Sequence, residues 1–445
     1  MKSYDVVIVG GGPAGVTAAL SAKNSYPNKN IALIRKDAKP MIPCGIPYTL
    51  FTLNNVDENI LADAPLTANK IDIINSEAVD REDHTLILSN GEEIKYEKLV
   101  LATGSKAVLP QIEGNKKEGV FLVRKRKSYL EKLRTAVHSA SKIVILGGGY
   151  IGVEVADELL KGGKEITIVE MMPDLLPTMD NEFSDKVKES LTSRGGNVVT
   201  GKSIQKILGN SSVSGVELSD GSIINCDLVI VSVGYKPNLD LIKKFELNLL
   251  EGRGVLVDDY LRTSEKDIFA VGDCAVKYDF FTGDLTNVML ASTGMAEGRL
   301  VGSNLYSIKV VRQYQGVLGT FSTKIGSTAF AVSGLTEKRA KEKGMEYTVG
   351  IAKAVDRHPG KLPGASEVLV KLIFSTYSHT LLGAQIYGGD SVGELINMVS
   401  VMIQNRMTDT DINTLQIGTH PLLTPSPVVY PVINATINAI VKWFK

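Results

Sequence analysis

The 445-residue sequence has only three cysteines and no excess of charge of either sign. Cys44, Cys226 and Cys274 are too few and too irregularly spaced for a disulfide framework or a zinc ribbon, so we expect a reducing compartment. The 49 basic and 49 acidic residues balance to a formal net charge of zero, which gives no indication of binding to nucleic acid or to an anionic membrane. No segment has the roughly 18 consecutive apolar residues of a membrane span, and we expect a cytoplasmic protein.

An uncharged stretch near the start, residues 6–22, looks like a secretion signal but is explained better as a nucleotide-binding unit. It joins a β-branched strand to the turn GGGPAG and an alanine-rich helix, which is the G-x-G-x-x-G pattern in its required setting. Gly10 would make the turn, Gly12 would let the backbone approach a pyrophosphate, and Gly15 would let helix and strand pack closely. We therefore predict dinucleotide binding here, with Pro13 inside the turn.

The next predicted strand, residues 31–34, departs from this pattern at its end. An acidic residue is expected there to bind the adenosine ribose, but the sequence has Arg35. A guanidinium cannot accept hydrogen bonds from ribose hydroxyls, so Arg35 either stacks on the adenine or faces a phosphate. Asp37 could replace the missing acid, although it lies two residues late.

A second strand–turn–helix unit begins at residue 142 and contains the turn GGGYIG. Gly147, Gly149 and Gly152 occupy the three glycine positions, and Glu170 ends the following strand, where a ribose-binding acid belongs. The two methionines after Glu170 provide no basic side chain for a 2′-phosphate, which favours NADH over NADPH. Two such units in one chain imply two dinucleotides and electron transfer between them.

Three further turns are candidates for contact with a dinucleotide. The strand in residues 99–105 ends in Thr103 and Gly104, and a turn of such small residues can pass close beneath a ligand. Gly234 belongs to the turn that closes the second unit. Another strand ends at Asp273, whose carboxylate either bonds sugar-alcohol hydroxyls or is that of an ordinary turn aspartate.

The motif PCGIPY, residues 43–48, contains the cysteine that we interpret as a redox-active thiol. Residues 48–53 look helical, which would place Cys44 near a helix N-terminus, where backbone N–H groups and the helix dipole stabilise a thiolate. The alternative is that Cys44 is a small buried apolar residue, the usual state of a free cysteine. Cys226 and Cys274 are interpreted as structural.

The ordered set GGGPAG, ATG, GGGYIGVE, GYKPN and AVGDCA resembles the pyridine nucleotide–disulfide oxidoreductase superfamily over nearly the whole chain. PCGIPY with one cysteine is similar to the branch that contains NADH oxidases, NADH peroxidases and coenzyme A-disulfide reductases. The resemblance implies an α/β fold with two Rossmann-like dinucleotide-binding domains, for FAD and NADH, and a C-terminal α+β dimerisation domain. The expected boundaries are 1–110 and 241–317 for the two parts of the FAD-binding domain, 111–240 for the NADH-binding domain and 318–445 for the dimerisation domain.

The resemblance also implies which residues bind the two cofactors. NADH would bind to the second glycine turn and Glu170, and Tyr150 would cover the flavin until the nicotinamide displaces it. The FAD-binding residues would be Gly10, Gly12, Gly15, Thr103, Gly104, Asp273 and Ala291. The C-terminal domain would form a homodimer and complete the partner's active site.

The resemblance is incomplete at positions that bear on the substrate. Peroxidase members carry a histidine where Pro13 stands, which argues against peroxidase chemistry. Coenzyme A-disulfide reductases carry an arginine where Asn24 stands, so coenzyme A remains a candidate ligand without being favoured; Tyr430 is a candidate for their C-terminal tyrosine. His420 resembles a histidine of the two-cysteine relatives, although Pro425 replaces the glutamate that orients it there.

His420 is the best general acid–base candidate because imidazole titrates near neutral pH, and the alternative is a structural histidine. We expect hydride transfer from NADH through FAD to Cys44 and on to dioxygen, a disulfide, a persulfide or a polysulfide, without a metal. One alternative is a flavin reductase that serves a small redox protein and does not use Cys44. The other is a non-enzymatic flavin-binding dimeric module.

Overall fold

The computed structural model describes residues 1–286 and 288–444. Its α-helices are α1 (Pro13–Ser25), α2 (Ala64–Ala68), α3 (Lys127–Ser139), α4 (Tyr150–Lys161), α5 (Asn181–Thr192), α6 (Ala291–Asn304), α7 (Glu337–Glu342), α8 (Val392–Gln404), α9 (Asp409–Asn413) and α10 (Pro431–Trp443). Short 3-10 turns lie at Pro43–Gly45, Pro47–Thr49, Val56–Asn59, Ile242–Lys244, Gly272–Cys274 and Pro427–Val429. Among the residues described, no helix combines the length and the apolar character needed to span a membrane.

The first sheet has seven strands and carries the first glycine turn. Its path is Asp72–Asn75, Ile31–Arg35, Lys2–Val9, Glu93–Leu101, Thr85–Leu88 and Ala78–Glu82, with Ile268–Ala270 also paired to Glu93–Leu101. The central strands are parallel and rich in buried β-branched residues, as expected of a sheet covered on both faces. Because Ile268–Ala270 joins this sheet in parallel, Asp273 reaches the same end of the strands as the first glycine turn.

The second sheet has five parallel strands and carries the second glycine turn. Its order is Asn197–Thr200, Glu165–Glu170, Lys142–Leu146, Leu228–Val231 and Val120–Leu122. An antiparallel sheet of three strands, Ile204–Leu208, Gly215–Leu218 and Ile223–Asn225, packs on it. Val144 and Val229 of the parallel sheet share one buried cluster with Val216 of the smaller sheet, so the two sheets form a single domain core.

The third sheet is antiparallel and has the order Phe321–Ile325, Thr328–Gly334, Leu381–Gly388, Glu367–Ser375 and Tyr347–Val355. Its core includes residues of α8 and α10. Two-stranded ribbons pair Ser105–Ala107 with Tyr235–Pro237, Leu249–Leu250 with Gly254–Val255, and Lys277–Tyr278 with Leu285–Thr286. One buried cluster contains Phe330 of the third sheet, Leu159 of α4 and Ile46 of the PCGIPY motif, so the second and third domains meet at that motif.

Helices α1 and α6 pack closely because glycines line their contact. A β-carbon at Gly298 would lie 2.5 Å from the backbone oxygen of Ala14, and one at Gly302 would lie 2.5 Å from the backbone oxygen of Ala18. Only glycine fits at such a backbone approach. The close packing brings the N-termini of both helices to one cavity, which is described below.

Candidate active site

The first glycine turn leaves the strand Lys2–Val9 and enters α1. Gly10 has a φ of +128°, and a β-carbon there would lie 2.0 Å from the backbone oxygen of Ala102. A β-carbon at Gly15 would lie 1.9 Å from the Gly10 oxygen, so strand and helix meet with no side chain between them. At Gly12, by contrast, an added β-carbon would meet no atom within 4 Å. The turn therefore leaves its backbone open to a pyrophosphate.

A cavity of about 750 Å³ opens over this turn. The predicted site residues that line it are Gly10, Gly12, Pro13, Arg35, Cys44, Thr103, Gly104, Tyr150, Asp273 and Ala291. Asn238 lines it as well, and its buried Oδ1 atom has no hydrogen-bond partner among the described residues. The open backbone at Gly12, the two helix N-termini and this orphaned acceptor fit FAD, whose pyrophosphate and ribityl hydroxyls need such groups.

Arg35 lies beneath the first turn, where its side chain contacts Gly11. Its guanidinium forms a bidentate pair with Asp63, at 2.5 and 2.7 Å, and its Nε donates to Asn75 Oδ1 at 2.9 Å. The Arg35 side chain is 4% exposed. Because its donors are already paired within the protein, the expected phosphate contact lacks support, and contact with the adenine stays a prediction. Asp37 also lines the cavity.

Asp273 belongs to a polar cluster in the cavity that sequence reasoning missed. Ser105 donates its hydroxyl to Asp273 Oδ2 at 2.5 Å, and the Lys125 ammonium lies 3.4 Å from the same oxygen. Lys125 also lies over the Tyr235 ring, 5.0 Å from its centroid. The cluster orients the Asp273 carboxylate and leaves Oδ1 without a hydrogen bond in the described part of the chain, so Oδ1 can accept from a ligand hydroxyl.

The second glycine turn repeats this geometry between the strand Lys142–Leu146 and α4. Gly147 has a φ of +107°, a β-carbon at Gly152 would lie 2.0 Å from the Gly147 oxygen, and Gly149 has open space above it. These glycines lie outside the cavity of the first turn, as does Gly234 with its φ of +100°. The repeated geometry supports the prediction of a second dinucleotide site.

Glu170 ends its strand beside the second turn and is 7% exposed. Its Oε2 accepts from the Gly148 N–H at 2.6 Å, and its Oε1 accepts from the Met172 N–H at 2.7 Å. The carboxylate therefore stabilises the second glycine turn, and it would also bind the dinucleotide held there. Met171, next to it, is 69% exposed and carries no charge. An acid with a neutral neighbour suits the ribose of NADH better than a 2′-phosphate.

Cys44 is exposed and lines the cavity, which contradicts the interpretation as a buried structural cysteine. It lies in the 3-10 turn Pro43–Gly45, and a second such turn, Pro47–Thr49, follows. Each turn begins with a proline, which has no N–H to continue a preceding helix. The second turn ends at Thr49 and residues 50–55 form further turns, so the prediction of a helix over residues 48–53 is wrong, and Cys44 does not lie at the N-terminus of one.

The electrostatic environment of Cys44 also differs from the expectation. Desolvation by the cavity walls, followed by the nearby Glu154 carboxyl, raises the pKa of the Cys44 thiol, and Lys125 opposes this shift more weakly. The surrounding protein residues thus disfavour the thiolate that a helix N-terminus was expected to stabilise. Cys226 and Cys274 are both buried, as expected of structural cysteines.

The segment after Cys44 is held by a clamp, which we define as Arg134 of α3 and Glu158 of α4. The Arg134 guanidinium donates to the backbone oxygens of Thr49, Leu50, Leu53 and Asn54. Glu158 accepts from the backbone N–H of Thr52 at 2.8 Å and from its hydroxyl at 2.6 Å. Sequence reasoning missed the clamp because its two side chains lie far along the chain from the segment they hold.

Three residues of α4 line the cavity, Tyr150, Ile151 and Glu154, and the two polar ones lie one helical turn apart. The Tyr150 ring packs edge-on against Phe321, with 3.7 Å between centroids, and its hydroxyl bonds with that of Thr178. Glu154 Oε1 accepts from the Thr323 hydroxyl at 2.8 Å, and burial raises the pKa of Glu154 to about 7. Sequence reasoning assigned Glu154 no role, although its spacing from Tyr150 in a helix placed it on the same face.

His420 and Tyr430 do not line the cavity of their own chain. His420 is exposed in the loop between α9 and α10, and its Nδ1 accepts from the Leu422 N–H at 3.2 Å. Tyr430 precedes α10, is 8% exposed and packs in the core of the third sheet. One chain therefore does not bring either residue to Cys44, and the roles predicted for them depend on a second copy.

Three carboxylates elsewhere approach one another in a way that could hold a cation: those of Asp180, Glu182 and Glu337. The Lys371 ammonium lies among them, 2.8 Å from Asp180 and 2.7 Å from Glu337, and its side chain is 3% exposed. The ammonium of this one lysine thus pairs with all three acids. The cluster joins the second domain to the third.

Two dinucleotide-binding folds, a cavity that fits FAD and a cysteine in that cavity define a flavin- and nicotinamide-dependent oxidoreductase with a thiol at its flavin site. Comparison with known families agrees: residues 4–298 match the family described as pyridine nucleotide-disulphide oxidoreductase, and residues 320–429 match its dimerisation domain. The chain belongs to the pyridine nucleotide-disulphide oxidoreductase family.

Several relatives align over nearly their whole length. An NADH oxidase of Methanocaldococcus jannaschii is 30% identical over 429 residues, covering 92% of this chain and 93% of the relative. An NAD(P)H coenzyme A polysulfide/persulfide reductase of Pyrococcus horikoshii is 30% identical over 420 residues, covering 91% and 92%. The structure of an NAD-dependent persulfide reductase from A. fulgidus superposes with a TM-score of 0.90 at 30% identity, covering 98% of this chain and 83% of that one.

These findings confirm the expected fold class, two Rossmann-like domains followed by a dimerisation domain. The chain is an enzyme, a flavoprotein oxidoreductase that depends on FAD and NAD(P)H, and the interpretation as a non-enzymatic module is wrong. The dimerisation domain supports the expected homodimer. The domain boundaries stay a prediction.

Proposed function

We propose that this enzyme passes electrons from NADH through FAD to Cys44, and from Cys44 to a disulfide, persulfide or polysulfide. The observation that carries the proposal is the exposed Cys44 thiol in the cavity that fits FAD. A thiolate attacks a sulfur acceptor directly, and the reduction of one disulfide takes the two electrons that one NADH provides. The name of the P. horikoshii relative, a coenzyme A polysulfide/persulfide reductase, supports this class of acceptor.

The residues of the first turn and its surroundings would hold FAD. The backbone at Gly10 and Gly12 would bind the pyrophosphate at the N-terminus of α1, and Asp273 Oδ1 would accept from a sugar-alcohol hydroxyl. Ala291 would add the N-terminus of α6. When bound, FAD accepts a hydride equivalent from NAD(P)H and makes two electrons available for sulfur reduction. Tyr150 would shield the nicotinamide position until NADH displaces it.

The residues of the second turn would hold NADH. Gly147, Gly149 and Gly152 would present backbone to its pyrophosphate, and Glu170 would bond the adenosine ribose. A 2′-phosphate would meet the buried Glu170 carboxylate, and the exposed Met171 next to it offers no charge to bind the phosphate. NADH is therefore the expected donor, in preference to NADPH.

Cys44 would act as the nucleophile toward the acceptor. Its thiolate attacks one sulfur of the acceptor, the S–S bond breaks, and the products are a mixed disulfide on Cys44 and a free thiol. The two electrons from NADH then cleave the mixed disulfide, which regenerates the Cys44 thiolate and releases the second half of the acceptor as a thiol once it takes up a proton. Coenzyme A is a candidate half of that mixed disulfide. His420 and Tyr430 would reach this site from the second chain of a homodimer.

Dioxygen is the second candidate acceptor, because the M. jannaschii relative is named an NADH oxidase. In that reaction Cys44 would pass through a sulfenic acid instead of a mixed disulfide. Donation of electrons to a small redox protein is less well supported, since such a reaction has no use for a thiol and Cys44 lies in the cavity wall.

The test is Cys44→Ser, compared with Cys226→Ser as a cysteine outside the cavity. We expect Cys44→Ser to keep FAD and its reduction by NADH, and to lose disulfide and polysulfide turnover by at least about 100-fold. NADH consumption with each acceptor and with dioxygen measures this. Mass spectrometry of Cys44 in the purified enzyme separates a coenzyme A adduct from a sulfenic acid. Turnover within twofold of wild type in Cys44→Ser would refute the proposal.

A further inference from the structure

A buried ion pair adjoins the turn Gly272–Cys274, which carries Asp273. Its members are Lys277, which is 6% exposed, and Glu297 of α6, which is 8% exposed. The Lys277 ammonium lies 2.9 Å from Glu297 Oε1 and 3.0 Å from Oε2. Neither residue lines the cavity that fits FAD, and the proposed chemistry uses neither. The pair can therefore act on FAD only through the cavity residues that it contacts.

The pair bonds both polar backbone groups of Gly272, the residue before Asp273. Glu297 Oε2 accepts from the Gly272 N–H at 2.7 Å, and Lys277 Nζ donates to the Gly272 oxygen at 2.6 Å. The same ammonium donates to the Ala275 oxygen at 3.1 Å, so each of its three N–H groups has an acceptor. The two side chains thus hold the backbone on both sides of Asp273.

The pair also joins this turn to α6. A β-carbon at Gly294 of α6 would lie 3.2 Å from the Gly272 α-carbon, so the helix and the turn are in contact. Glu297 follows Gly294 by about one helical turn. The first residue of α6, Ala291, lines the cavity, as Asp273 does. Two residues that are expected to bind FAD are therefore held in one fixed arrangement.

Stability alone does not explain the pair. The removal of two charges from water costs free energy, and apolar side chains of similar volume often stabilise a protein core equally well or better. Apolar side chains, however, cannot bond the N–H and the oxygen of Gly272. What the ion pair adds is a defined position for that backbone.

We propose that Lys277 and Glu297 are positioning residues for FAD: they hold the backbone at Gly272 so that the Asp273 carboxylate meets a sugar-alcohol hydroxyl of the cofactor. This inference rests on the proposed function, in which Asp273 accepts from that hydroxyl. Contacts inside the cavity orient the carboxylate itself, whereas the ion pair fixes the backbone from which the carboxylate extends.

The experiment measures the dissociation constant of FAD by dilution of the holoenzyme, with the fluorescence of released FAD as the readout. Lys277→Met removes the donor to the Gly272 oxygen and leaves Glu297 without its counter-ion, so FAD should bind about 10- to 100-fold more weakly. Glu297→Gln keeps an acceptor for the Gly272 N–H, so FAD should bind only about 10-fold more weakly. This milder variant also serves if Lys277→Met does not fold.

Two combined variants separate positioning from a general loss of stability. In Lys277→Met/Glu297→Gln no buried charge is left unpaired, so FAD should bind at least about fivefold more tightly than in Lys277→Met alone. Asp273→Ala should weaken FAD binding by about 30-fold because the carboxylate is gone. Added to Asp273→Ala, Lys277→Met should weaken binding by less than about threefold more, because there is no carboxylate left to position.

Lys371→Met is the matched control, since it also breaks a buried lysine–carboxylate cluster, but at the junction of the second and third domains. It should destabilise the fold and leave the affinity for FAD within about twofold of wild type. The inference is overturned if both single variants bind FAD within about threefold of wild type, if Lys371→Met loses as much affinity, or if Lys277→Met and Asp273→Ala are fully additive.

The same measurements distinguish this inference from the proposed function. If Asp273→Ala weakens FAD binding and neither Lys277→Met nor Glu297→Gln does, only the positioning role is wrong. If Asp273→Ala keeps the affinity of the wild type, the role that the proposed function gives to Asp273 is wrong.

Discussion

The clamp on the segment after Cys44 can be tested by Arg134→Met, which keeps the unbranched stem of the side chain and removes every donor. In the wild type, Nη2 donates to the Asn54 oxygen at 2.9 Å. Nη1 is shared among the oxygens of Thr49, Leu50 and Leu53. The segment is also held by Glu158, by the contact of His138 Nε2 with the Leu50 oxygen at 3.0 Å and by the buried Leu50 side chain, so we expect its local stability to fall without being lost.

The size of the effect follows from these contacts. A hydrogen bond from a charged donor contributes roughly 1.5–3 kcal/mol, but one nitrogen shared among three oxygens does not count three times. We count two effective hydrogen bonds and reduce their contribution because Arg134 is partly exposed. The free energy of local opening of the segment should therefore fall by about 2–4 kcal/mol. At about 1.4 kcal/mol per factor of ten, the open state becomes roughly 30- to 700-fold more populated. The domain cores do not include Arg134, so global unfolding should change less.

Hydrogen exchange with mass spectrometry on a peptide spanning residues 46–56 measures this opening. The Leu53 N–H, which donates to the Tyr48 oxygen at 2.8 Å, is one amide that should lose protection. Lys132→Met, on an exposed position of the same helix, is the matched control and should leave the exchange unchanged. Exchange of the segment within threefold of wild type, or an equal loss of protection throughout the second sheet, would show that the clamp does not position Cys44.

Two other substitutions test features away from Cys44. Lys371→Met leaves its three carboxylate partners uncompensated, so the free energy of urea unfolding should fall by about 3–5 kcal/mol at neutral pH. A fall of less than about 1 kcal/mol would contradict this. Met171→Arg should raise kcat/KM with NADPH by about tenfold, because a cation then lies beside the 2′-phosphate, and Met171→Gln should not. An unchanged NADPH-to-NADH ratio would mean that the adenosine binds elsewhere.

Much of the fold was accessible from sequence because its signals are local. Each glycine turn carries its own geometric requirement: a positive φ at Gly10 and Gly147, and a close backbone approach at Gly15 and Gly152. These requirements lie within six residues of each other and directly follow a buried strand, so the motif and the structure coincide. The predicted strand at residues 31–34 is likewise found, at Ile31–Arg35.

The environment of Cys44 could not be predicted in the same way, because it is assembled from distant parts of the chain. The clamp residues come from α3 and α4, Lys125 precedes α3, and Thr323 comes from the third sheet. Local pattern suggested a helix after Cys44, yet the 3-10 turn Pro47–Thr49 gives way to further turns over residues 50–55. Because that helix is absent, its N-terminus does not stabilise a Cys44 thiolate. The groups that shift the pKa of the thiol lie far from Cys44 in the sequence.

Helix α4 connects the two halves of the proposed reaction. It begins at the second glycine turn, where NADH would bind, and it carries Tyr150, Glu154 and Glu158 at intervals of one turn. Tyr150 would shield the flavin, Glu154 lines the same cavity, and Glu158 holds the segment after Cys44. A rigid helix gives such groups a fixed spacing that separate loops would not give. The nucleotide turn and the Cys44 chemistry are therefore parts of one structural element, although motifs that lie about a hundred residues apart in the sequence encode them.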